Sequence, residues 1–253
     1  MSRSIDLNAD LGEFADAEAL ARDRAIMAYI SSANIACGGH AGNDRTMADM
    51  LEASAAANVA AGAHPSYPDR ENFGRTSMKM ADDVLLESLR GQITLLKRHG
   101  DARGVVLAHV KPHGQLYNDA ADNLHLAELI AHAISATLPR AAYVGLAGSK
   151  MANAARAAGL TFIAEGFADR RYDARARLVS RKEPDAVIEN AAERIEQALD
   201  LARGDPIHNK EGGLIDLVVD SICLHSDSEG ALASARDIRA ALDKAGIKVA
   251  ARR

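Results

Sequence analysis

The chain has 253 residues, 48% of them hydrophobic and 26% charged, the balance of a soluble globular protein long enough to bury a sizeable core. A net charge of −5 argues against nucleic acid or an anionic membrane as the main partner, and no stretch is apolar over a bilayer-spanning length. The lack of Trp and an aromatic content of 4% remove the usual stacking platforms for sugars and bases.

The first predicted element is Ile5 to Glu13 (IDLNADLGE), an apolar run that ends in acids. Six similar runs follow: Ala33 to His40, Val59 to His64, Val105 to Asn118, Ala142 to Lys150, Thr161 to Tyr172 and Ser221 to Asp227. Bounded by Gly or Pro, they read as buried strands that end in polar clusters. Between them lie helical spacings. Asp82 is placed to cap a helix reaching about His99, with Val84, Leu85, Leu89, Ile93 and Leu96 inward and Gly100 as its stop. Asp119 to Leu138 reads as one helix stopped by Pro139, and Pro184 as the opening of another through Val187, Ile188 and Ile195 to Leu201. The turn-rich GDPIHNKEGG predicts a hairpin-like excursion with His208 exposed, and Ser228 to Ala245 a last helix. Strand alternating with helix predicts an α/β fold: a single domain over residues 1–253, a seven-stranded (β/α) TIM-like barrel.

In such a barrel every strand points its C-terminal end at the face that holds the chemistry. A side-chain period of two puts Asp6, Asn8 and Asp10 on one face of the first strand and Ile5, Leu7 and Ala9 on the other. His109, Lys111 and His113 share a face in the fourth, and Cys223, His225 and Asp227 in the seventh. Unpaired buried charge is costly, so three polar stripes predict a functional interior. Asp10 and Glu13 set two carboxylates at the first strand's mouth, where different environments can split acid and base roles. His40 sits in a glycine-rich turn that is not a phosphate loop; G-x-x-x-x-G-K-[ST] occurs nowhere. Pro65 and Pro68 stiffen the loop after His64. Lys111, between two imidazoles, is expected to have a lowered pKa or to hold an anionic substrate. Asp10, His40, His64 and His225 offer a mixed set suited to zinc or a similar divalent ion, assembled from distant strands, since no H-E-x-x-H occurs. Cys37 and Cys223 fall inside predicted strands as small buried thiols. With no apolar signal segment at the N-terminus, they point to a reduced cytoplasmic setting.

Several blocks carry a resemblance. Asp6 to Glu13 (DLNADLGE), Ser32 to Gly38 (SANIACG), Gly62 to Pro65 (GAHP), Val110 to Gly114 (VKPHG) with Leu116-Tyr117-Asn118, and Phe167 to Arg170 (FADR) with Tyr172 resemble the signature blocks of the LamB/YcsF family, the group of 5-oxoprolinase A subunits, over nearly the whole chain. The resemblance implies a barrel of the glycoside hydrolase/deacetylase type. It also implies ATP-dependent opening of the small molecule 5-oxoproline (pyroglutamate) to glutamate, in company with 5-oxoprolinase subunits B and C. On that reading Asp10 or Glu13 is the general base, Lys111 and His113 stabilise the developing anion, and Asp169 with Arg171 orients the substrate. Asn8, Asn34, His40, His64, Arg75, Tyr117, Asn118, His225 and Asp227 complete the substrate site. Without a phosphate loop, ATP has either an atypical site on this chain or a site on a partner. The family pattern is departed from at Gly39 (usually aromatic), Asn43-Asp44 (one acid), Thr76 (usually arginine) and Ser226 (usually glycine). Two rival readings are a metal-dependent hydrolase or deacetylase of a sugar or amide, and a non-catalytic subunit that binds small acids.

Overall fold

Alternation along the first strand separates an apolar layer from a polar interior. In the computed structural model, which describes residues 3–225 and 230–252 and only the backbone of His225, β1 (Ser4–Leu11) buries Ile5, Leu7, Ala9 and Leu11 in the main apolar core. Asp6, Asn8 and Asp10 are equally buried but bond to side chains of other strands. Six further strands follow: β2 (Ser32–Ala36), β3 (Ala60–His64), β4 (His109–Val110), β5 (Ala142–Leu146), β6 (Phe162–Phe167) and β7 (Ser221–His225). Each pairs in parallel with the next, and β7 pairs back onto β1 from Asp6↔Ser221 to Asp10↔His225. The result is a closed barrel of seven parallel strands, the expected TIM-like architecture, with all strand tips at one mouth. A short segment, Lys248–Val249, adds a parallel pairing to Ser4 and Ile5 that the sequence did not suggest.

The helices are α1 (Ala17–Ile26), α2 (Asp44–Ala57), α3 (Asp82–Asp101), α4 (Gly114–Asp122), α5 (Leu124–Thr137), α6 (Met151–Ala157), α7 (Ala191–Arg203) and α8 (Ala231–Lys244). Leu85, Leu89, Ile93 and Leu96 of α3 are buried as expected. Asp82 is its first residue, not its cap; Val84 is 54% exposed, and Gly100 lies inside the helix. The single helix expected over Asp119 to Leu138 is two. Asn123 ends α4, and its side chain accepts from the Leu126 N–H to start α5, so local capping wins over continuation.

Pro184 opens no helix either. Residues 170–188 form an excursion that pairs with itself through antiparallel bridges Arg170↔Val187 and Tyr172↔Leu178, with the Ile188 N–H donating to Asp169 O at 2.9 Å. α7 starts only after Asn190, whose side chain accepts from the N–H groups of Ala192 and Glu193. The expected hairpin does form, Ile207↔Ile215 and His208↔Leu214, with His208 exposed. Among the described residues no helix is long and apolar enough to cross a membrane.

Candidate active site

The barrel interior is a polar network from its lower end to its mouth. Asp6 accepts from the hydroxyls of Ser31 (2.6 Å), Ser32 (2.7 Å) and Ser221 (2.5 Å); burial raises its pKa more than these bonds lower it. One layer up, Asn8 Nδ2 donates to Glu165 Oε1 (2.9 Å) and Ser221 Oγ (2.7 Å). Asn34 Nδ2 donates to Asn8 Oδ1 (2.7 Å) and Asp10 Oδ1 (2.8 Å). His109 Nε2 donates to Asn34 Oδ1 at 2.8 Å, lying over Gly62, where a Cβ would come within 2.2 Å of the ring. Burial, then Lys111 and His64, lowers the His109 pKa to about 3, so this imidazole is neutral.

Lys111 is the centre of the network. Its Nζ lies 2.8 Å from Glu165 Oε1, 3.0 Å from Asp10 Oδ1 and 3.0 Å from Cys223 Sγ, and it sits over the Phe167 ring. Burial pulls the lysine pKa down, but Asp10, Cys223 and Glu165 outweigh it and the net shift is upward. The expected lowered pKa is therefore not found: the flanking imidazoles are neutral, and two carboxylates face the ammonium. Lys111 is a fixed cation.

Above it opens a cavity of about 360 Å³, suited to a small molecule. Asp10, Glu13, His64, Lys111 and His113 line it with Tyr117, Asn118 and Phe167, and so do the basic side chains of Arg75, Arg170, Arg181 and Lys182. Two imidazoles are anchored to backbone carbonyls: His64 Nδ1 to Lys111 O (2.8 Å) and His113 Nε2 to Phe73 O (3.0 Å). Their other nitrogens, His64 Nε2 and His113 Nδ1, lie 3.0 Å apart. Glu13 Oε1 is 3.2 Å from His40 Nε2 and 3.4 Å from His113 Nδ1, while Asp10 Oδ2 is 3.3 Å from His64 Nε2. His40 stacks on His113 with ring centroids 3.6 Å apart. Burial, then neighbouring imidazoles, depresses both of these histidines well below the usual range. One ligand atom from each of Glu13, His40, His64 and His113 falls within 4.8 Å of all the others, so this cluster could hold a divalent metal.

Local backbone devices hold these groups in place. Gly12 has φ +74°, and its N–H donates to Asp23 Oδ2 (2.9 Å), which sets the turn that presents Glu13. Gln92 of α3 grips Ser66 from both sides, accepting from its N–H and donating to its carbonyl, each at 2.9 Å. The loop after Ser66 is clamped to the start of α4 by Gln115 N–H donating to Gly74 O (2.9 Å); a Cβ on Gly114 would sit 2.6 Å from that oxygen. The clamp places Phe73 O against His113.

Of the residues expected at the site, Asp10, Glu13, His64, Arg75, Lys111, His113, Tyr117 and Asn118 line the cavity. His40 is buried against His113, and Asn8 and Asn34 lie one layer below, orienting Asp10. Asp169 is buried and absent from the lining. Arg171 is misplaced in the expectation: it pairs with Glu193 of α7 at 2.5 Å, and its neighbour Arg170 faces the cavity. The side chain of His225, and Asp227 and Ser226 entirely, lie outside the described residues. The fifth run, ending at Ser149 and Lys150, contributes nothing to the lining.

Two of the family departures have structural explanations. At Gly39 a Cβ would meet Gln92 Oε1 at 2.3 Å and Ser66 Oγ at 2.4 Å, so any side chain there would displace the Gln92 grip on Ser66. Asn43 caps α2 in a capping box with Thr46, while Asp44 meets His99 Nε2 at 2.9 Å on the surface. Sequence reasoning missed Glu165, Gln92, Arg170, Arg181 and Lys182, and had Cys223 only as a member of the seventh strand's stripe. Only Glu165 carried a usable signal, as the one charge in a buried run, two residues from Phe167 on the same face of β6.

The LamB/YcsF family matches residues 5–253. The 5-oxoprolinase A subunit of Methylococcus capsulatus is 43% identical over 251 residues, 99% of this chain and 96% of that protein. A lactam utilization protein from Thermus thermophilus superposes with a TM-score of 0.90 at 36% identity, over 98% of this chain and 100% of that one. A truncated 3-deoxy-D-arabino-heptulosonate 7-phosphate synthase from Thermotoga maritima, at 10% identity and a TM-score of 0.50 over 97% of this chain and 89% of that one, shares the fold alone. The family match begins in the first strand, takes in every residue gathered at the barrel mouth and ends with the C-terminal segment: the chain belongs to the LamB/YcsF family.

Proposed function

We propose that this chain opens 5-oxoproline to glutamate, hydrolysing a cyclic amide with the help of ATP, as the A component of an assembly with subunits B and C. The observation that carries the reading is Lys111, a cation fixed between two carboxylates beneath a small-molecule cavity lined by further basic side chains. The names of the two relatives, a 5-oxoprolinase component and a lactam utilization protein, point the same way.

A lactam is a stable amide, so its opening needs charge stabilisation at the carbonyl oxygen and an activated water. Lys111 faces the oxygen on which negative charge develops, while His113, whose one N–H is held by Phe73 O, turns its Nδ1 to His64 and Glu13 and adds no donor. Asp10 is the general base: Lys111 and Asn34 hold its Oδ1, which directs Oδ2 toward the imidazoles. Arg75, Arg170, Arg181 and Lys182 receive the substrate carboxylate, and they suit a phosphate equally well. ATP improves the electrophile by phosphorylating the amide oxygen, with release of ADP. Water adds at that carbon, the ring nitrogen takes a proton as the C–N bond breaks to leave an acyl phosphate, and a second water releases phosphate and the new carboxylate.

A second reading, a metal-dependent amide hydrolase that needs no ATP, draws on the Glu13, His40, His64 and His113 cluster. The deciding experiment mixes the chain with subunits B and C, 5-oxoproline and ATP. Glutamate and ADP formed in equal amounts, and only in the complete mixture, support the first reading. ATP-independent hydrolysis that a chelator abolishes supports the second. If no mixture yields glutamate, the lactam is not the substrate.

A further inference from the structure

We propose that Glu13, His40, His64 and His113 hold a divalent transition-metal ion of the zinc type at the floor of the cavity, with Asp10 at its edge. The inference starts from hydrogen-bond directions. His64 donates its Nδ1–H to Lys111 O and His113 its Nε2–H to Phe73 O. With one N–H on each ring and those two committed to carbonyls, His64 Nε2 and His113 Nδ1 present lone pairs that face each other at 3.0 Å, unless a proton is shared between them. Two lone pairs at that distance repel unless a cation lies between them. The atoms completing the ring are also electron-pair donors: Glu13 Oε1, and Asp10 Oδ2 at 3.3 Å from His64 Nε2.

The spacing agrees. Zinc bonds to nitrogen and oxygen of about 2.0–2.1 Å place neighbouring donors of a tetrahedron roughly 3.3–3.4 Å apart. The distances found are 3.0 Å for His64 to His113, 3.2 Å for His40 to Glu13 and 3.4 Å for His113 to Glu13. An imidazole that donates its second N–H to a carbonyl is the usual support of a metal ligand. Lys111 does not compete, because its ammonium is turned to Asp10 Oδ1 and Glu165 Oε1, on the far side of the Asp10 carboxylate. His40 is the least supported ligand, since its Nδ1 has no hydrogen-bond partner among the described residues. When bound, the ion supplies Lewis-acid charge beside the cavity.

The proposal is independent of the lactam reading, and its test uses neither substrate, nucleotide nor partner. The full chain, stripped with a chelator, is titrated with Co²⁺ and followed by visible absorption. One Co²⁺ per chain is expected, with d–d bands of a low-symmetry nitrogen and oxygen site that Zn²⁺ displaces. Glu13→Gln, which keeps the side-chain shape, weakens Co²⁺ binding at least ~10-fold. His64→Ala and His113→Ala weaken it roughly 100-fold or more, and His40→Ala weakens it least, by ~10-fold. His208→Ala, on the exposed hairpin, leaves it unchanged. Circular dichroism establishes that each variant is folded, and Glu13→Gln decides the matter where an imidazole deletion does not fold. Absence of saturable Co²⁺ binding, or binding indifferent to Glu13→Gln, overturns the site and leaves a shared imidazole proton to hold His64 and His113 together.

Discussion

Lys111 carries its charge where charge is expensive, so removing it has two separable consequences. Lys111→Met leaves Asp10 and Glu165 buried across from each other without their cation. We expect a stability loss of about 3–5 kcal/mol in denaturant unfolding, the usual result of breaking a buried pair from one side. Adding Glu165→Gln removes one of the two stranded carboxylates, so the double variant should be more stable than Lys111→Met alone; equal stability would show that the pair is not coupled. Asp10→Asn is milder in shape and should hold its melting temperature within a few degrees while turnover falls ~10²-fold or more. Near-normal turnover would remove Asp10 from the mechanism. A third residue gives a pH dependence. Burial, partly opposed by the Gly12 N–H, raises the Asp23 pKa from 3.8 to about 6. A carboxyl whose folded pKa is raised stabilises the fold fully below its unfolded value and loses that contribution as pH rises through the folded one. Between about pH 4 and pH 7 the protein should therefore lose on the order of 2 kcal/mol relative to Asp23→Asn, which keeps an acceptor for Gly12 and never ionises. Parallel unfolding curves at pH 4, 5.5 and 7 measure it, and a constant difference between the two proteins refutes it.

The loop from Ser66 to Thr76 positions chemistry without performing it. Gly114 has φ +58° and no room for a Cβ beside Gly74 O, so Gly114→Ala must push the loop off the start of α4 and carry Phe73 O away from His113. We expect a stability cost of ~1–3 kcal/mol and a loss of turnover larger than that cost explains, read as a fall in kcat in protein shown to be folded. Unchanged kcat would mean that His113 does not need its carbonyl anchor. At this scale the limits of reading a sequence are physical. β1 was legible because charges fall on one face and aliphatics on the other across its whole length. The two-residue β4 was legible because Lys111 and His113 continue its stripe beyond the strand. Errors arose where a local bond decides the outcome, as at Asn123 and Asn190, whose side chains start helices that apolar spacing alone extends too far. They arose again at Val187 and Ile188, whose spacing fits a helix stripe while their backbone pairs with residues 169–170. Glu165 was missed for a different reason: a buried charge declares its purpose only through its partner, and Lys111 reaches it across the barrel interior.

At the scale of the whole molecule, the inventory of groups does not match the difficulty of the proposed reaction. The mouth offers carboxylates, imidazoles and basic side chains, but the chain lacks the G-x-x-x-x-G-K-[ST] loop, and an unphosphorylated lactam remains a poor electrophile. A phosphorylated amide released into water would hydrolyse, so activation and opening belong in one assembly that shields the intermediate. The cavity opens between residues of the loop bearing Arg75 and those of the excursion bearing Ser180, Arg181 and Lys182, which makes these two segments the natural seat for a partner. We expect the isolated chain, given 5-oxoproline and ATP, to form glutamate at no more than ~1% of the rate of the mixture with subunits B and C, as the loss of a whole activating step requires. Glu71→Lys, an exposed change in the loop near the mouth, should weaken co-elution with the partners while leaving the melting temperature unchanged. Lys244→Glu, an exposed change at the C-terminal end of α8 beneath the barrel, should affect neither. Rapid ATP-dependent formation of glutamate by the isolated chain would sink the expectation and place the nucleotide among the basic side chains of this cavity.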